Sequence, residues 1–361
     1  MKYPKKLLSL LLAALCVFAA VQAGTVLTYA DTSFTVGDFR YTLTSDTTVK
    51  VSKYLGDSTD VTLPESVNGR LVTGIYKNCF KDSDVVSVTI PRDYTSIGAF
   101  AFQGCASLET VNLPASLKSI GVMAFDGCSA LKNIDFETLQ SLSEISFAAF
   151  SGCASLESVS LPENISLGDK AFSGCSSLSE VKLPASLTVI PEYAFYGCGF
   201  TSLDLPEGIT AIKEGAFASN ASLGSLSLPY TLTSIGNGCF KDDPLLAKVF
   251  VSDKMTAIGA DSFSPMADDG TLTLTCYKDS YTAELYGLYG FAGLKAIDKI
   301  MGDVNLDGVL DITDATAIQK HLAELELFTA TQLAVADVNE DGELDISDAT
   351  TVQYRVAGFK S

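Results

Sequence analysis

The chain has 361 residues and a formal net charge of -19. This acidic excess makes nucleic acids and anionic membranes poor partners. There is one histidine, His321, and no tryptophan. The chain therefore cannot build a Ser-His-Asp triad elsewhere or a multi-histidine zinc site. Stacking on sugar rings would have to use the 14 tyrosines, because no indole is present.

Residues 1–23 have the pattern of a signal peptide. Lys2, Lys5 and Lys6 precede an apolar run of 15 residues, and the run ends near the small residue Ala23. We expect cleavage after Ala23, which takes the charge from -19 to -22, and export from the cytoplasm. A lipid anchor on Cys16 is the alternative, but Leu15 before it is not small. No later run is long enough to insert into a membrane.

A long repeat fills the middle of the chain. Its units read approximately AFxGCxSLxxVxLPxSLxxIG and recur every 22 to 25 residues. The aligned phenylalanines are Phe80, Phe102, Phe125, Phe150, Phe172, Phe195, Phe217, Phe240 and Phe263. In "LETVNL", Val111 and Leu113 fall on one face of a short strand, which Pro114 ends. A unit this short cannot bury its apolar side alone, so nine stacked units predict a solenoid.

The repeated motifs resemble the BspA-like subclass of leucine-rich repeats over residues 58–275. The resemblance implies a leucine-rich-repeat β/α solenoid, with parallel strands on one face of an arc and irregular or short helical segments on the other. Open solenoid ends expose core, so caps are expected at both ends. We predict an N-terminal β cap at 24–60, the solenoid at 61–270, and a C-terminal cap of a strand and a short helix at 271–299.

The cysteines follow the repeat. Five of them occupy one column, Cys105, Cys128, Cys153, Cys175 and Cys198, while Cys79 and Cys239 stand beside the phenylalanine instead. The column also accepts asparagine, which matches the N/C position of leucine-rich repeats. We predict buried free thiols. Disulfides between stacked turns are the alternative in an exported protein.

The outward positions of the predicted strands are mostly small and polar. They are Thr110, Asn112, Asn133, Asp135, Ser158, Ser160, Glu180, Lys182, Ser202, Asp204, Ser225, Ser227, Lys248 and Phe250. Aromatic residues and arginine, which dominate tight protein interfaces, are nearly missing from this set. The face does not identify a ligand, and a polysaccharide and a protein both stay open.

Two copies of a calcium-loop pattern close the chain, "GDVNLDGVLDITDA" and, 34 residues later, "ADVNEDGELDISDA". Each has the spacing D-x-N-x-D-G, with aspartate rather than glutamate at loop position 12. Calcium takes six to eight oxygens, supplied by positions 1, 3, 5, 7, 9 and 12. The candidate ligands of two Ca²⁺ ions are Asp303, Asn305, Asp307, Val309, Asp311 and Asp314, then Asp337, Asn339, Asp341, Glu343, Asp345 and Asp348.

A helix is predicted after each loop. Ala315, Ile318 and Leu322 have helical spacing in the first, and Ala349, Val352 and Val356 have it in the second. Residues 302–361 carry 12 acids and three bases, so folding should be coupled to calcium. A calcium-sensing EF-hand pair would need a helix before each loop as well. A disordered acidic tail would not keep the glycines and apolar positions in frame.

The duplicated loop-helix unit at 300–361 resembles the type I dockerin module of cellulosomal proteins. The resemblance implies a small all-α module that binds a cohesin module of a scaffoldin when calcium is present. It also implies that the cohesin is recognised at loop positions 10 and 11 and along the following helix. These positions are Ile312, Thr313, Gln319, Lys320, Ile346, Ser347, Gln353 and Tyr354. Isoleucine at position 10 departs from the usual hydroxyl residue, and the near-identical loops permit two related binding modes.

These patterns favour a secreted, non-catalytic binding or adhesion protein with no catalytic residues, held at a cellulosome or cell surface through cohesin. One alternative is a cellulosomal glycoside hydrolase, because a carboxylate pair could be formed among the 43 acids. Regular short repeats leave no insertion from which to build a cleft. The other alternative is a protein inhibitor displayed by the dockerin.

Overall fold

A computed structural model describes residues 33–264, 271–288 and 293–359. The predicted signal peptide at 1–23 lies outside these residues. In the described part of the chain, no helix combines the length and apolarity needed to cross a bilayer.

The chain begins with an antiparallel meander of three strands. The strands are β1 (Ser33–Val36), β2 (Phe39–Leu43) and β3 (Thr48–Tyr54). Val49 and Val51 of β3 alternate into the core, as period-two patterning predicts. On its other edge β3 pairs in parallel with β6 (Arg70–Ile75), so the meander continues into the solenoid and covers its first turn.

The predicted strands form one parallel ladder in separate pieces. They are β4 (Asp60–Thr62), β7 (Ser87–Thr89), β9 (Thr110–Asn112), β12 (Ser158–Ser160), β14 (Glu180–Lys182), β16 (Ser202–Asp204), β18 (Ser225–Ser227) and β20 (Lys248–Val251). The central residue of nearly every strand is buried and its neighbours face outward, as predicted. Residues 132–136 form no strand, although Asn133 and Asp135 were expected at outward strand positions. This turn is longer than the others, and the ladder is interrupted there.

A second parallel ladder runs where irregular or short helical segments were expected. The ladder begins with β6, on which the short strand β5 (Ser66–Val67) folds back in antiparallel. Its further strands are β8 (Ser96–Ile97), β10 (Ser119–Ile120), β11 (Glu144–Ile145), β13 (Ser166–Leu167), β15 (Val189–Ile190), β17 (Ala211–Ile212), β19 (Ser234–Ile235) and β21 (Ala257–Ile258). Most have two residues, which is too short to produce a visible alternation. Between β4 and β21 the described residues contain no helix.

The repeated phenylalanines stack along the middle of the solenoid. From Phe80 to Phe263, neighbouring ring centroids lie 4.9–5.8 Å apart and the ring planes are within 10° of parallel. Phe136 and Phe200 meet this stack edge-on. All of these rings are fully buried. One ring per turn therefore makes a single continuous core, which confirms the repeat frame and the solenoid.

The cysteines of the column connect consecutive turns through hydrogen bonds to main-chain carbonyls. Each thiol donates a hydrogen bond to the carbonyl of the phenylalanine one turn earlier, as from Cys128 to Phe102 (3.1 Å) and from Cys175 to Phe150 (3.2 Å). All eight described cysteines are free and buried. Burial raises the pKa of the Cys175 thiol to about 12. The column is therefore structural, and its thiols are protonated and unreactive at neutral pH.

Asp243 occupies the same column two turns after Cys198. Before it, Asn220 donates from its amide to the Phe195 carbonyl (3.1 Å), as a cysteine would. The Asp243 side chain is fully buried; its Oδ1 accepts from the Asn220 N–H (2.7 Å), and its Oδ2 has no partner. Burial raises the pKa of Asp243 to about 8. A protonated Asp243 could donate along the column, whereas a carboxylate there would be buried without compensation.

Replacing Asp243 with asparagine is expected to stabilise the solenoid at neutral pH by about 1–3 kcal/mol. Asp243 keeps its proton up to about pH 8 in the folded protein, whereas in the unfolded chain it releases the proton near the ordinary aspartate pKa of 3.8. The parent's stability should therefore fall as pH rises between these values, and Asp243→Asn should remove that fall. Thermal unfolding from pH 4 to 9 measures it, with the exposed Asp204→Asn as control. Parallel pH curves for parent and Asp243→Asn would contradict the expectation.

The C-terminal end of the solenoid is covered by β22 (Thr273–Tyr277), α1 (Tyr281–Leu288) and β23 (Leu294–Ile297). β22 extends the ladder of β20 and pairs with β23, which was not predicted. Three further helices follow, α2 (Ile312–Leu322), α3 (Ala330–Ala336) and α4 (Ile346–Val356). The predicted fold class, a solenoid followed by a small helical module, is confirmed. The domain boundaries at 24–60, 61–270, 271–299 and 300–361 stay predictions.

Candidate calcium and docking site

The two acidic loops adopt the same backbone shape. Gly308 and Gly342, at loop position 6, have φ of 87° and 88°, a conformation that glycine adopts without steric cost. Leu306 and Glu340, two residues before them, are also left-handed, with φ of 57° and 59°. These residues fold each loop back on itself between its first aspartate and the following helix.

Side-chain carboxylates hold each loop closed through main-chain hydrogen bonds. In the first loop, Asp303 accepts from the N–H groups of Asp307 (3.1 Å) and Gly308 (2.8 Å). Asp314 accepts from those of Asn305 (3.2 Å) and Asp311 (2.9 Å). Positions 1 and 12 therefore clamp the loop from its two ends.

The second loop repeats this network. Asp337 accepts from Asp341 (3.2 Å) and Gly342 (3.0 Å), and Asp348 accepts from Asn339 (3.3 Å) and Asp345 (2.9 Å). Asp348 also accepts from the Val338 N–H (2.8 Å). The duplication seen in sequence is thus a duplication of geometry.

Position 9 also starts each helix. Asp311 caps α2 by accepting from the Thr313 N–H (2.7 Å), and Asp345 caps α4 by accepting from the Ser347 N–H (2.7 Å). Hydrogen bonds from the hydroxyl and then the N–H of the capping partner lower the pKa of both carboxyls. These two aspartates are therefore ionised at neutral pH. An anionic cap at a helix N-terminus is favourable.

The donor set fits a hard cation. Each loop presents carboxylate, amide and main-chain oxygens at the predicted positions, with no sulfur or imidazole among them. Within the described ranges no three carboxylate, thiol or imidazole side chains form a ready-made metal cluster, because the loop carboxylates turn to their own N–H groups. Burial raises the pKa values of Asp303 and Asp314. A bound calcium ion would supply the positive charge that these crowded carboxylates lack.

The two repeats pack around a small apolar core. Its buried residues are Val304, Ala315, Ile318, Phe328, Val335, Ala336, Val338, Ala349 and Val352. Arg355 joins the repeats by donating to the carbonyls of Val338 (2.9 Å) and Met301 (3.4 Å). Leu322 and Val356, which continue the helical spacing of the buried residues in the sequence, are exposed. The module is too thin to cover the last turn of either helix.

A helix precedes the second loop, although no leading helix was predicted. This helix, α3, begins with a capping box between Thr329 and Gln332.

His321 lies at the end of α2. It stacks on Phe328 with ring centroids 4.5 Å apart, and its Nδ1 accepts from the Phe328 N–H (3.0 Å). The only histidine of the chain thus has a structural role at the end of α2.

The predicted recognition residues lie on the outside of the two helices. Ile312 and Ile346, at the first position of α2 and α4, are 55% and 59% exposed. Tyr354 is also exposed, Gln319 and Lys320 face outward on α2, and Gln353 is half-buried. Thr313 and Ser347 hydrogen-bond within their own loops, to Asn305 and Asn339. The structure therefore exposes an isoleucine at the same position of each repeat.

Two exposed leucines had not been singled out from the sequence. Leu325 and Leu327, between α2 and α3, are each 79% exposed. No periodicity distinguishes them from buried leucines. They enlarge the apolar surface of the module beyond the predicted recognition positions.

The first loop also touches the solenoid cap. Lys295 of β23 donates from its ammonium to the Asp307 carbonyl (2.9 Å). The side chain of Ile297 lies about 3.0 Å from the place that a Cβ on Gly308 would take, whereas nothing lies near Gly342. The two loops are alike internally but have different surroundings.

Comparison with known families explains both regions. The model of the BspA type leucine rich repeat region, in six copies, matches residues 73–167 and 143–267. The chain belongs to this family. The model of the dockerin type I domain matches residues 301–357, so this BspA-type protein carries a C-terminal dockerin. Type I dockerins bind calcium, and a dockerin implies docking to cohesin.

Solved structures agree with the repeat fold. A leucine-rich repeat protein from Bacteroides ovatus is 29% identical over 68% of this chain, with a TM-score of 0.62. This chain spans 66% of that protein's length. A leucine rich cell surface protein from Faecalibacterium prausnitzii is 28% identical, with a TM-score of 0.56, over 67% of this chain and 76% of its own. No curated protein matches the chain.

Proposed function

We propose that this protein is a secreted, non-catalytic binding protein. Its dockerin docks to a cohesin on a scaffoldin and thereby presents the solenoid to a polysaccharide or protein target at a cellulosome or cell surface. The observation that carries the proposal is the duplicated loop-helix unit, with matching hydrogen bonds in both loops and an exposed isoleucine at the start of each helix. This arrangement supports one partner bound through either repeat.

Two calcium ions belong to the proposal, one in each loop. The supporting observation is the equivalence of the two donor sets at positions 1, 3, 5, 7, 9 and 12. The calcium ions would make no direct contact with the cohesin. Their role is to hold the carboxylates together so that α2 and α4 keep their spacing.

Apolar contact at Ile312 and Ile346 is expected to contribute most of the cohesin affinity. Because the repeats are alike, Ile312→Lys or Ile346→Lys alone should leave binding through the other repeat. The double variant should weaken binding about 30-fold or more, the loss typical of a hot-spot residue. Titration calorimetry with a cohesin that binds the parent measures this.

Leu325→Lys is the matched control, because Leu325 is an exposed leucine of the same module outside both helices. It should bind cohesin like the parent. Unchanged binding by the double isoleucine variant, together with lost binding by Leu325→Lys, would move the interface to the segment between α2 and α3.

A further inference from the structure

One junction of the second ladder differs from the rest. At each other junction from Ile75 to Ile258, two main-chain hydrogen bonds join consecutive turns, as from Lys118 to Thr95 (2.9 Å) and from Gly121 to Ile97 (2.9 Å). Between β13 and β15 neither bond forms, and no strand pairing connects them. The ladder is broken between Leu167 and Ile190.

The cause of the break is visible in sequence. Pro191 stands where other turns have an N–H that donates to the preceding turn, and proline has no such donor. Glycine often fills this position, because a Cβ on Gly121 would approach the preceding backbone to 2.7 Å. Pro191 therefore cannot form the second of the two bonds, and main-chain pairing resumes only from the Lys170 N–H to the Glu192 carbonyl (2.8 Å). In addition, "LPENISLG" at 161–168 is one residue shorter than "LPASLKSIG" at 113–121.

The break leaves main-chain groups without their usual partners. The carbonyls of Ile165 and Leu167 and the N–H of Thr188 lack the bonds that the equivalent groups make at every other junction. Main-chain N–H and C=O groups are nearly always paired, with protein, water or a ligand, so these three groups are available to water or to a ligand in the gap. An acceptor pair and a donor thus face one another across the gap.

An open surface groove of about 360 Å³ lies at this position, and its polar side chains are exposed to solvent. Its polar walls include Asp169, Glu192 and Lys213, and hydroxyls from Ser166, Ser186 and Thr188. Leu167, Val189 and Pro191 supply an apolar strip. Two hydrogen bonds connect the turns at the edges of the gap. The Glu192 N–H donates to the Asp169 carboxylate (3.1 Å), and the Asn164 N–H donates to the Ser186 hydroxyl (2.9 Å). The size lies within the range of small-molecule sites, roughly 300–1,000 Å³.

The chemistry of the groove selects among ligands. An anion would meet the carboxylates of Asp169 and Glu192. A cation would leave the Thr188 N–H unpaired and would be repelled by Lys213. Hydroxyl groups both donate and accept, so they satisfy carboxylates, carbonyls, an N–H and an ammonium together. The apolar strip suits the C–H face of a sugar ring.

We propose that the broken junction between β13 and β15 is the ligand-binding site of the solenoid and that it takes a neutral oligosaccharide. The inference deepens the proposed binding function, since it selects a sugar rather than a protein as target. It does not depend on docking, because the groove contains no dockerin residue.

Calorimetric titration of the whole protein with neutral oligosaccharides of glucose, xylose, mannose and galactose tests the site. At least one should bind. Asp169→Asn and Glu192→Gln should each weaken that binding about tenfold, the loss expected for one hydrogen bond to a charged acceptor. Pro191→Gly restores the missing N–H and removes the ring, so it should close the gap and abolish binding. Asp204→Asn, exposed on the other ladder, is the control.

Three results would overturn the inference. Failure of every oligosaccharide to bind would leave a water-filled gap, and equal binding by parent, Asp169→Asn and Pro191→Gly would place the sugar elsewhere. Loss of one bound calcium in Asp169→Asn would make the groove a cation site.

Cohesin binding measured on the same samples separates the two proposals, because it should be the same in all four variants. Sugar hydrolysis that Glu192→Gln abolishes would instead contradict the non-catalytic role.

Discussion

Replacing Phe150 with alanine is expected to lower the free energy of unfolding of the solenoid by about 3–5 kcal/mol. The Phe150 ring is fully buried between Phe125 (5.1 Å between centroids) and Phe172 (5.4 Å), and Phe136 meets it edge-on. Truncation removes the contacts of two neighbouring turns and leaves a cavity that backbone bonds on both sides prevent from closing. Urea unfolding followed by circular dichroism measures the loss.

Phe147→Ala is the matched control, since Phe147 lies in the same turn but is 37% exposed. Its ring lies 5.8 Å from the Lys170 ammonium. We expect a change of about 0.5 kcal/mol, typical of a surface substitution. Equal losses for the two variants would mean that the stack is not the main source of cohesion between turns.

Removing calcium is expected to unfold residues 301–357 while the solenoid stays folded. The module buries only nine apolar residues, mostly alanine and valine, against the long phenylalanine core of the solenoid. Its loops crowd four or more carboxylates each, so repulsion is uncompensated without a cation. Ligand linkage predicts about 4 kcal/mol of stabilisation when free calcium is 1,000-fold above the dissociation constant.

Differential scanning calorimetry with and without chelator measures this effect. A low transition should move with calcium and a high transition should not. Asp303→Asn and Asp337→Asn should each reduce the calcium-dependent shift, whereas Glu324→Gln, outside both loops, should leave it intact. A single unfolding transition whose temperature does not change with calcium would contradict the calcium-coupled folding of the module.

Sequence pattern predicted the features that repeat. The phenylalanine frame, the central strands and the two dockerin loops each recur at fixed spacing, so a structural requirement is visible several times. The cysteine column was also interpretable, because Asn220 and Asp243 replace cysteine in frame.

Features that occur once, or that depend on neighbouring turns, were missed. Two-residue strands such as Ser119–Ile120 are too short for an alternation to appear. The exposure of Leu322 depends on how thin the helical module is, which no periodicity records. The effect of Pro191 depends on the carbonyl that receives the N–H of the equivalent residue at other junctions, and only the structure identifies that carbonyl. The α3 helix, by contrast, had a capping signal at Thr329 and Gln332 that could have been used.

Calcium-dependent binding of the whole protein to a panel of cohesins tests the proposed docking function most directly. We predict that at least one cohesin binds in calcium, that chelator abolishes the binding, and that Asp303→Asn with Asp337→Asn together abolish it while Glu324→Gln does not. Binding that persists in chelator, or a folded calcium-loaded module that binds no cohesin of the panel, would contradict it.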